Sequence, residues 1–398
     1  MKFPFGTISI TEESKKIIKN ILNSQRLSAG KYVRKFEEAF SESLGVREAV
    51  AVSSGTDAVA LSLACLYDFG ATRGDEVILP ALTFIGTANA VLQAGFKPVF
   101  VDIKRETLNI DVAEIEKVLT NKTRAIIAVH LMGKPADMDE INKIAKKHKL
   151  FVIEDAAEAY GTMYKGKKIG TLGDLSAFSL YVAHVITTVE GGIIGTDRED
   201  FAEVLRSLRA HGRACKCKIC ILNTVSGYCP QRFKYKGEDI RFVFERVGFS
   251  AKMNELEAAI GLGNIGIYSK ILEKRRKNLK YLMEKFKRFE GYFTTIKEES
   301  SEVIGPHAFP VVLREGVKFK RDKFVNFLEK RGIETRTLFS SIPTQSKGYK
   351  FLGYKLGEFP NAEYIGENGL HIGVHQGLNK RHLDYFLNTV EEFILKNK

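Results

Sequence analysis

The sequence predicts an α/β protein, with a mostly parallel large-domain sheet followed by a smaller α+β C-terminal domain. Three observations carry this prediction. Up to about residue 210, short apolar runs of strand length alternate with amphipathic segments of helix length. The strand runs are nearly continuous in apolar residues, as in sheets covered on both faces. From residue 253 the alternation gives way to a long helical stretch and then to a mixed set of strands and helices.

Taken in order, Ile17, Ile18, Ile21 and Leu22 share one side of a helix over 11–22. Val33, Phe36, Phe40 and Leu44 recur at helical spacing, and Gly45 ends that helix. Ala49 to Val52 reads as a buried strand running into Ser53-Ser54-Gly55-Thr56-Asp57, with a helix from there to about Tyr67. A strand, a small-residue turn and a helix together offer free backbone N–H groups to a phosphate. Strands are expected at 77–79, 99–102, 125–129 and 151–153, with helices at 86–93, 111–119 and 138–148 between them. The strand at 151–153 runs out into Glu154-Asp155, and ligands of open α/β sheets sit beyond such carboxyl ends. Strands at 177–181 and 192–196 flank a loop, a helix covers 199–210, and 212–247 is an irregular insertion. Residues 253–289 read as helical, 308–313 and 335–339 as strands, 321–330 as a helix, and a closing helix starts near 380. The expected domains are 1–265, carrying the insertion, and 266–398.

At 398 residues the chain is long enough for two domains. Its 44% apolar and 27% charged residues are ordinary for a globular protein. No apolar run reaches the roughly 18 residues of a membrane span. The start, Met1 to Gly6, lacks the apolar centre of a signal peptide, so a cytoplasmic location is expected. The net charge, 61 − 48 = +13, is spread through amphipathic segments and accompanies no nucleic-acid-binding motif. No nucleic-acid partner and no membrane partner are expected. The charge fits either a plain solvated surface or an anionic substrate with an acidic protein partner.

The chemistry-bearing stretch is Ser179-Leu180-Tyr181-Val182-Ala183-His184, continuing to Glu190-Gly191-Gly192. The Gly-Gly lets a backbone pass close to something. This stretch resembles the cofactor loop of the DegT/DnrJ/EryC1/StrS sugar aminotransferases, Ser-Phe-x-x-x-Lys followed by Glu-Gly-Gly. In that family the lysine binds pyridoxal phosphate (PLP) covalently. Here His184 stands in its place. Imidazole cannot make that link, but it moves protons near neutral pH. The same exchange marks the family's sugar 3-dehydratase branch; a decayed, inactive relative is the alternative.

The resemblance implies fold type I of the PLP-dependent transferases, a homodimer, and a set of cofactor contacts. Gly55, Thr56 and Ser179 match the phosphate contacts. Asp155, in Val152-Ile153-Glu154-Asp155-Ala156-Ala157-Glu158, matches the carboxylate that keeps the ring nitrogen protonated. Glu158 falls near the ring hydroxyl, or else is a solvated carboxylate. Phe84 matches the aromatic that stacks on the ring, and without the resemblance reads as core. Ser250 takes the place of an asparagine reaching from the partner subunit, or else caps a helix. The blocks Val129 to Met138 and Ala258 to Leu262 also match the family, and Gly369 to His375 is closer to the dehydratases.

Cys65 lies in an apolar helical run and reads as core. Cys215, Cys217, Cys220 and Cys229 form a C-x-C-x₂-C-x₈-C pattern, which points to zinc or iron–sulfur ligation. One dehydratase branch of the family carries a [2Fe-2S] cluster, served by a reductase. The resemblance therefore favours an iron–sulfur cluster, with a reductase or ferredoxin as electron donor, over a structural zinc. The expected activity is PLP/PMP-dependent removal of the C3 hydroxyl of a nucleotide-linked 4-keto-6-deoxyhexose (PMP, the pyridoxamine form). The alternatives are a sugar aminotransferase using another lysine, with Lys252 the nearest, and a non-catalytic, metal-stabilised binding protein.

Overall fold

The computed structural model describes every residue except 216, 219, 222–227, 340, 341 and 398. The main sheet is built from β1 (Glu48–Val52), β2 (Glu76–Pro80), β3 (Lys97–Val101), β4 (Thr123–Val129), β5 (Phe151–Asp155), β8 (Leu175–Ser179) and β9 (Gly192–Thr196). Its order is β1-β9-β8-β5-β4-β2-β3. The pairs β2–β3, β2–β4, β4–β5 and β5–β8 are parallel. β9 is antiparallel to both β8 and β1. The antiparallel strand follows from the connection: β8 and β9 are joined by the 180–191 loop with no crossover helix, so the chain turns straight back.

Each strand buries both faces. Val50 and Val52 join one apolar cluster while Ala49 and Ala51 join the other, and Val77 and Leu79 oppose Ile78 in the same way. Helices close both sides: α1 (Glu12–Ser24), α2 (Lys31–Leu44), α3 (Gly55–Cys65), α4 (Ile85–Gln93), the single turn α5 (Val112–Ile115), α6 (Met138–His148) and α7 (Glu199–Leu208). The helix expected over 111–119 is thus one α-turn followed by a 3₁₀ turn, Glu116–Val118. α3 is buried from Ala58 to Cys65, which places Cys65 in the core as expected.

The expected helical stretch 253–289 is two helices, α8 (Glu255–Gly266) and α9 (Tyr268–Phe286), meeting at Ile267. The expected domain border, 265 to 266, falls in the last turn of α8. A second sheet, wholly antiparallel, has the order β10-β12-β14-β13 from β10 (Phe293–Thr294), β12 (Ala308–Leu313), β13 (Thr335–Thr337) and β14 (Gly369–Gly373). α10 (Arg321–Glu329), α11 (Pro360–Asn368) and α12 (Lys380–Leu395) complete this part. β13 stops earlier than expected, and Phe339 beyond it has φ 52°, outside extended backbone. β14 was not expected as a strand, although it lies between β12 and β13. Its apolar signal is only Leu370 and Ile372, interrupted by glycines and His371. A small sheet, β11-β6-β7, joins the two parts by pairing β11 (Glu302–Val303) with β6 (Met163–Tyr164), itself a hairpin with β7 (Lys167–Lys168). The buried Lys134–Glu302 ion pair lies beside it.

Candidate active site

A cavity of about 520 Å³ opens at the carboxyl ends of β4, β5 and β8. Gly55, Thr56, Phe84, Asp155, Glu158, Ser179 and His184 all line it. Contributions from the second sheet are His307, Arg336, Thr337, Phe339 and His371.

One wall is the start of α3. Ser54 caps the helix, its hydroxyl accepting from the Asp57 N–H at 3.0 Å. A Cβ on Gly55 would stand 2.7 Å from the Ser179 Cβ, and one on Gly192 would stand 2.1 Å from the Ser54 carbonyl oxygen. Glycine at both positions lets the helix start, the end of β8 and the Ser179 hydroxyl converge. The first-turn N–H groups then face the cavity, an arrangement suited to a phosphate.

Asp155 ends β5. Its carboxylate accepts from the Thr87 hydroxyl at 2.7 Å and from the Ala157 N–H at 3.3 Å. Burial pushes this carboxyl up, and Thr87, the Ala157 N–H and His130 act against that. His130 is itself fixed, with Nδ1 accepting from the Ala136 N–H at 3.0 Å and Nε2 lying 3.3 Å from Glu154. A buried carboxylate facing a cavity, with no lysine or arginine within salt-bridge distance among the described residues, is suited to a ligand N–H that carries positive charge. Phe84, at the N-cap of α4, leaves 58% of its surface exposed, so an aromatic face is open to a planar ring. Glu158 accepts from the Met132 N–H at 2.8 Å. Burial first, then the Asp155 charge, pushes Glu158 up to about 7.

His184 lies in the β8–β9 loop. That loop is held by Leu180 N–H to Gly191 O at 2.9 Å, Thr188 N–H to Leu180 O at 2.9 Å and His184 N–H to Tyr181 O at 3.0 Å. Val189 in the same loop has φ 79°, a strained value for a β-branched residue. The His184 ring lies 4.7 Å from that of His307, at a 35° tilt. Burial and the Arg275 charge hold His184 down, to about 3, so its imidazole is neutral at physiological pH. Burial acts likewise on His307, and on His371 with help from Arg336. Among the described residues lining the cavity there is no lysine; the cationic side chain there is Arg336.

A phosphate seat, a buried carboxylate, an exposed aromatic face and a neutral imidazole fit PLP or PMP. Over residues 8–391 the chain matches the model of the DegT/DnrJ/EryC1/StrS aminotransferase family. The chain belongs to that family. It is 35% identical over 384 residues to the dTDP-4-dehydro-2,6-dideoxy-D-glucose 3-dehydratase of Saccharopolyspora spinosa, covering 94% of this chain and 82% of that one. It is also 35% identical over 371 residues to the GDP-perosamine synthase of Caulobacter vibrioides, covering 92% and 91%. The E. coli GDP-4-keto-6-deoxy-D-mannose-3-dehydratase structure with bound hydrated PLP superposes with a TM-score of 0.85 at 31% identity, covering 98% of this chain and 100% of that one. The chain thus has the fold type I architecture of the PLP-dependent transferases. It is a PLP-dependent, sugar-modifying member of the family, which holds both dehydratases and aminotransferases.

Two expected parts of the site lie elsewhere. Ser250 is exposed, bridges to Ala210, and does not line the cavity of its own chain. Nor does it cap α8; Asn254 does, in a capping box with Glu257. The four insertion cysteines are also outside the cavity lining. Their thiols are near one another: partial desolvation, a hydrogen bond with Cys215, and the charges of Cys215, Cys229 and Cys220 push Cys217 up. Yet among the described residues no group of three or more His, Cys, Asp or Glu is arranged to hold a metal ion. The expected iron–sulfur cluster, and zinc as its alternative, therefore have no support here.

Sequence reasoning did not single out Thr87, Arg275, His307, Arg336 or His371 for the site. Gly369 to His375 matches only as a block; Thr87, His307 and Arg336 carry no local signal because they reach the cavity from separate elements, and Arg275 does not line it but bonds the carbonyls of His184 and His307.

Proposed function

We propose that this protein removes the C3 hydroxyl of a nucleotide-linked 4-keto-6-deoxyhexose, with PLP/PMP as cofactor and glutamate as co-substrate. The observation that carries the reading is His184 at the lysine position of the β8–β9 loop, in a cavity with no lysine among its described lining residues. When bound, the cofactor supplies a ring that takes up the electron pair as the hydroxyl leaves.

The chain's own residues supply the rest. The α3 turn and Ser179 seat the phosphate. Asp155 would hold a proton on the ring nitrogen, and Phe84 would offer its face to the ring. His184, neutral, accepts a proton from the carbon that bears the cofactor's amino group, and then has a proton to return to the leaving hydroxyl. Glu158, shifted toward neutrality, orients the ring hydroxyl. With the cofactor bound, glutamate would serve as its amino donor and water would release the 3-deoxy sugar. This route needs no metal cluster and no electron donor. We further read the protein as a cytoplasmic homodimer in which Ser250 reaches the partner's site. Among the described residues no helix is long and apolar enough to cross a membrane.

The test is incubation with PLP, glutamate and a GDP- or dTDP-linked 4-keto-6-deoxyhexose, read by mass spectrometry. A 3-deoxy product formed with 2-oxoglutarate and ammonia, without an added electron donor, is expected. A 4-amino sugar would make it an aminotransferase. Product formed only with a reductase, in anaerobic protein containing iron and labile sulfide, would return the four cysteines to a cluster. Failure to bind PLP or PMP would favour a binding protein on this scaffold.

A further inference from the structure

Arg275, on α9, is fully buried. Its Nη2 donates to the carbonyls of Ala183 (3.0 Å) and His184 (3.1 Å). Its Nη1 donates to those of His307 (3.2 Å) and Pro306 (3.4 Å), and its Nε to the Gln376 side-chain oxygen (3.3 Å). All five acceptors are neutral, and among the described residues Arg275 has no carboxylate partner within salt-bridge distance. A buried charge without a counter-ion costs folding free energy, and burial pushes even this guanidinium down to about 10. Four of these bonds span two separate stretches of chain, the β8–β9 loop of the main sheet and the segment entering β12 of the second sheet, and the fifth reaches Gln376 beyond β14. Each stretch brings an imidazole to the cavity, and on both His184 and His307 the Nδ1 is buried with no hydrogen-bond partner.

We propose that Arg275 is a positioning residue for His184: it pins the His184 loop to the His307 segment, and its fixed charge adds to the burial that keeps the His184 imidazole in the proton-accepting form. This rests on the reading of His184 as the base. The groups around His184 leave the charge role to Arg275. From its own loop comes Tyr181, with ring centroids 6.3 Å apart. From the second sheet come His307, then His371 and Arg336 behind it. Glu158 lies 3.8 Å from His307 and is itself shifted toward the neutral form. The Arg275 charge also bears on His307 and His375, so one guanidinium biases three imidazoles the same way.

The experiment uses ¹⁵N-histidine-labelled, cofactor-free full-length protein, with the His184 signals assigned through His184→Asn. In wild type, His184 should stay neutral between about pH 5 and 8, where a free imidazole titrates. In Arg275→Gln, which keeps donors but loses the charge, the His184 midpoint should rise by at least about one pH unit, and the acid limb of kcat/KM should move up with it. In Arg275→Lys, which keeps a charge but cannot span both segments, kcat should fall about tenfold or more while KM changes little. Should Arg275→Gln not fold, the wild-type titration and the Lys variant carry the test. A wild-type His184 midpoint near 6.5, or one unmoved in Arg275→Gln, overturns the proposal. Full dehydratase activity in His184→Asn would overturn the base reading instead, and the titration would still judge Arg275.

Discussion

At the scale of single residues, the site is a set of groups whose burial conflicts with their charge. Asp155 is a buried carboxyl with one hydroxyl and one N–H as donors. Asn in its place keeps the shape and its single oxygen can accept one of the two bonds, but it cannot hold a proton on the ring nitrogen. Asp155→Asn should therefore lower turnover by well over tenfold, about 1.4 kcal/mol of barrier. Its melting temperature should shift by only a few degrees, about 1 kcal/mol for a chain of this size. Turnover within tenfold of wild type would remove Asp155 from the mechanism. His184→Lys should let PLP attach covalently, so that borohydride reduction and peptide mass spectrometry find the adduct at position 184, while 3-deoxy product falls. An adduct on a lysine of the wild-type protein would contradict the reading of the cavity. His184 and Asp155 were legible in the sequence because each lies in a contiguous motif. Arg275 was not, because a buried arginine and a surface one look alike inside a basic helix. Its role depends on which carbonyls the fold brings to it.

At the scale of elements, the β8–β9 hairpin decides the site. Its loop carries His184, its first strand ends in Ser179, and its second begins with Gly192, paired with Ser179 across the turn. Gly192 lies against the carbonyl of Ser54, just before α3. Gly192→Ala would force a Cβ into that carbonyl at 2.1 Å, so the α3 start or β9 must move. The variant should bind PLP at least tenfold more weakly, about 1.4 kcal/mol, and should also unfold at lower temperature. Both are measurable by fluorescence titration and thermal melts. Unchanged PLP affinity would show that the close approach does not shape the phosphate seat. The sequence marked both glycines as places of close approach. It did not say that the strand after them runs antiparallel, which is a property of the connection rather than of any residue. The insertion shows the converse. Its cysteine spacing is a strong local pattern, yet among the described residues the gathered thiols form no group arranged to hold a metal ion.

At the scale of the whole molecule, the first residues of the chain help to close the second sheet. Phe3 is fully buried, donates its N–H to the Gly332 carbonyl at 2.8 Å, and bridges to Ile333. Phe5 then meets the rings of His371 and His307 at 5.3 and 5.8 Å, and Arg336 lies over it. Phe3→Ala should cost about 3–5 kcal/mol, visible as a lower denaturant midpoint with PLP affinity little changed. A loss below about 1 kcal/mol would mean the N-terminal segment is not part of the core. Core residues of the main sheet, the second sheet and the N-terminus belong to one apolar cluster, which runs through the expected domain border.

The sequence by itself determined the α/β class, the order of most elements, and the residues that sit in motifs: the α3 turn, Phe84, Asp155, Glu158 and the His184 loop. These were readable because periodicity and turn chemistry act over a few neighbouring residues. Only the tertiary structure decided that β14 is a central strand, that β9 turns back, and that no described cavity-lining residue is a lysine. It alone brought His307 against His184, with His371 and Arg336 lining the same cavity and Arg275 bonded to the carbonyls of His184 and His307. Those relations join residues as much as a hundred or more positions apart, and burial and proximity at that range arise from packing, which no local pattern records.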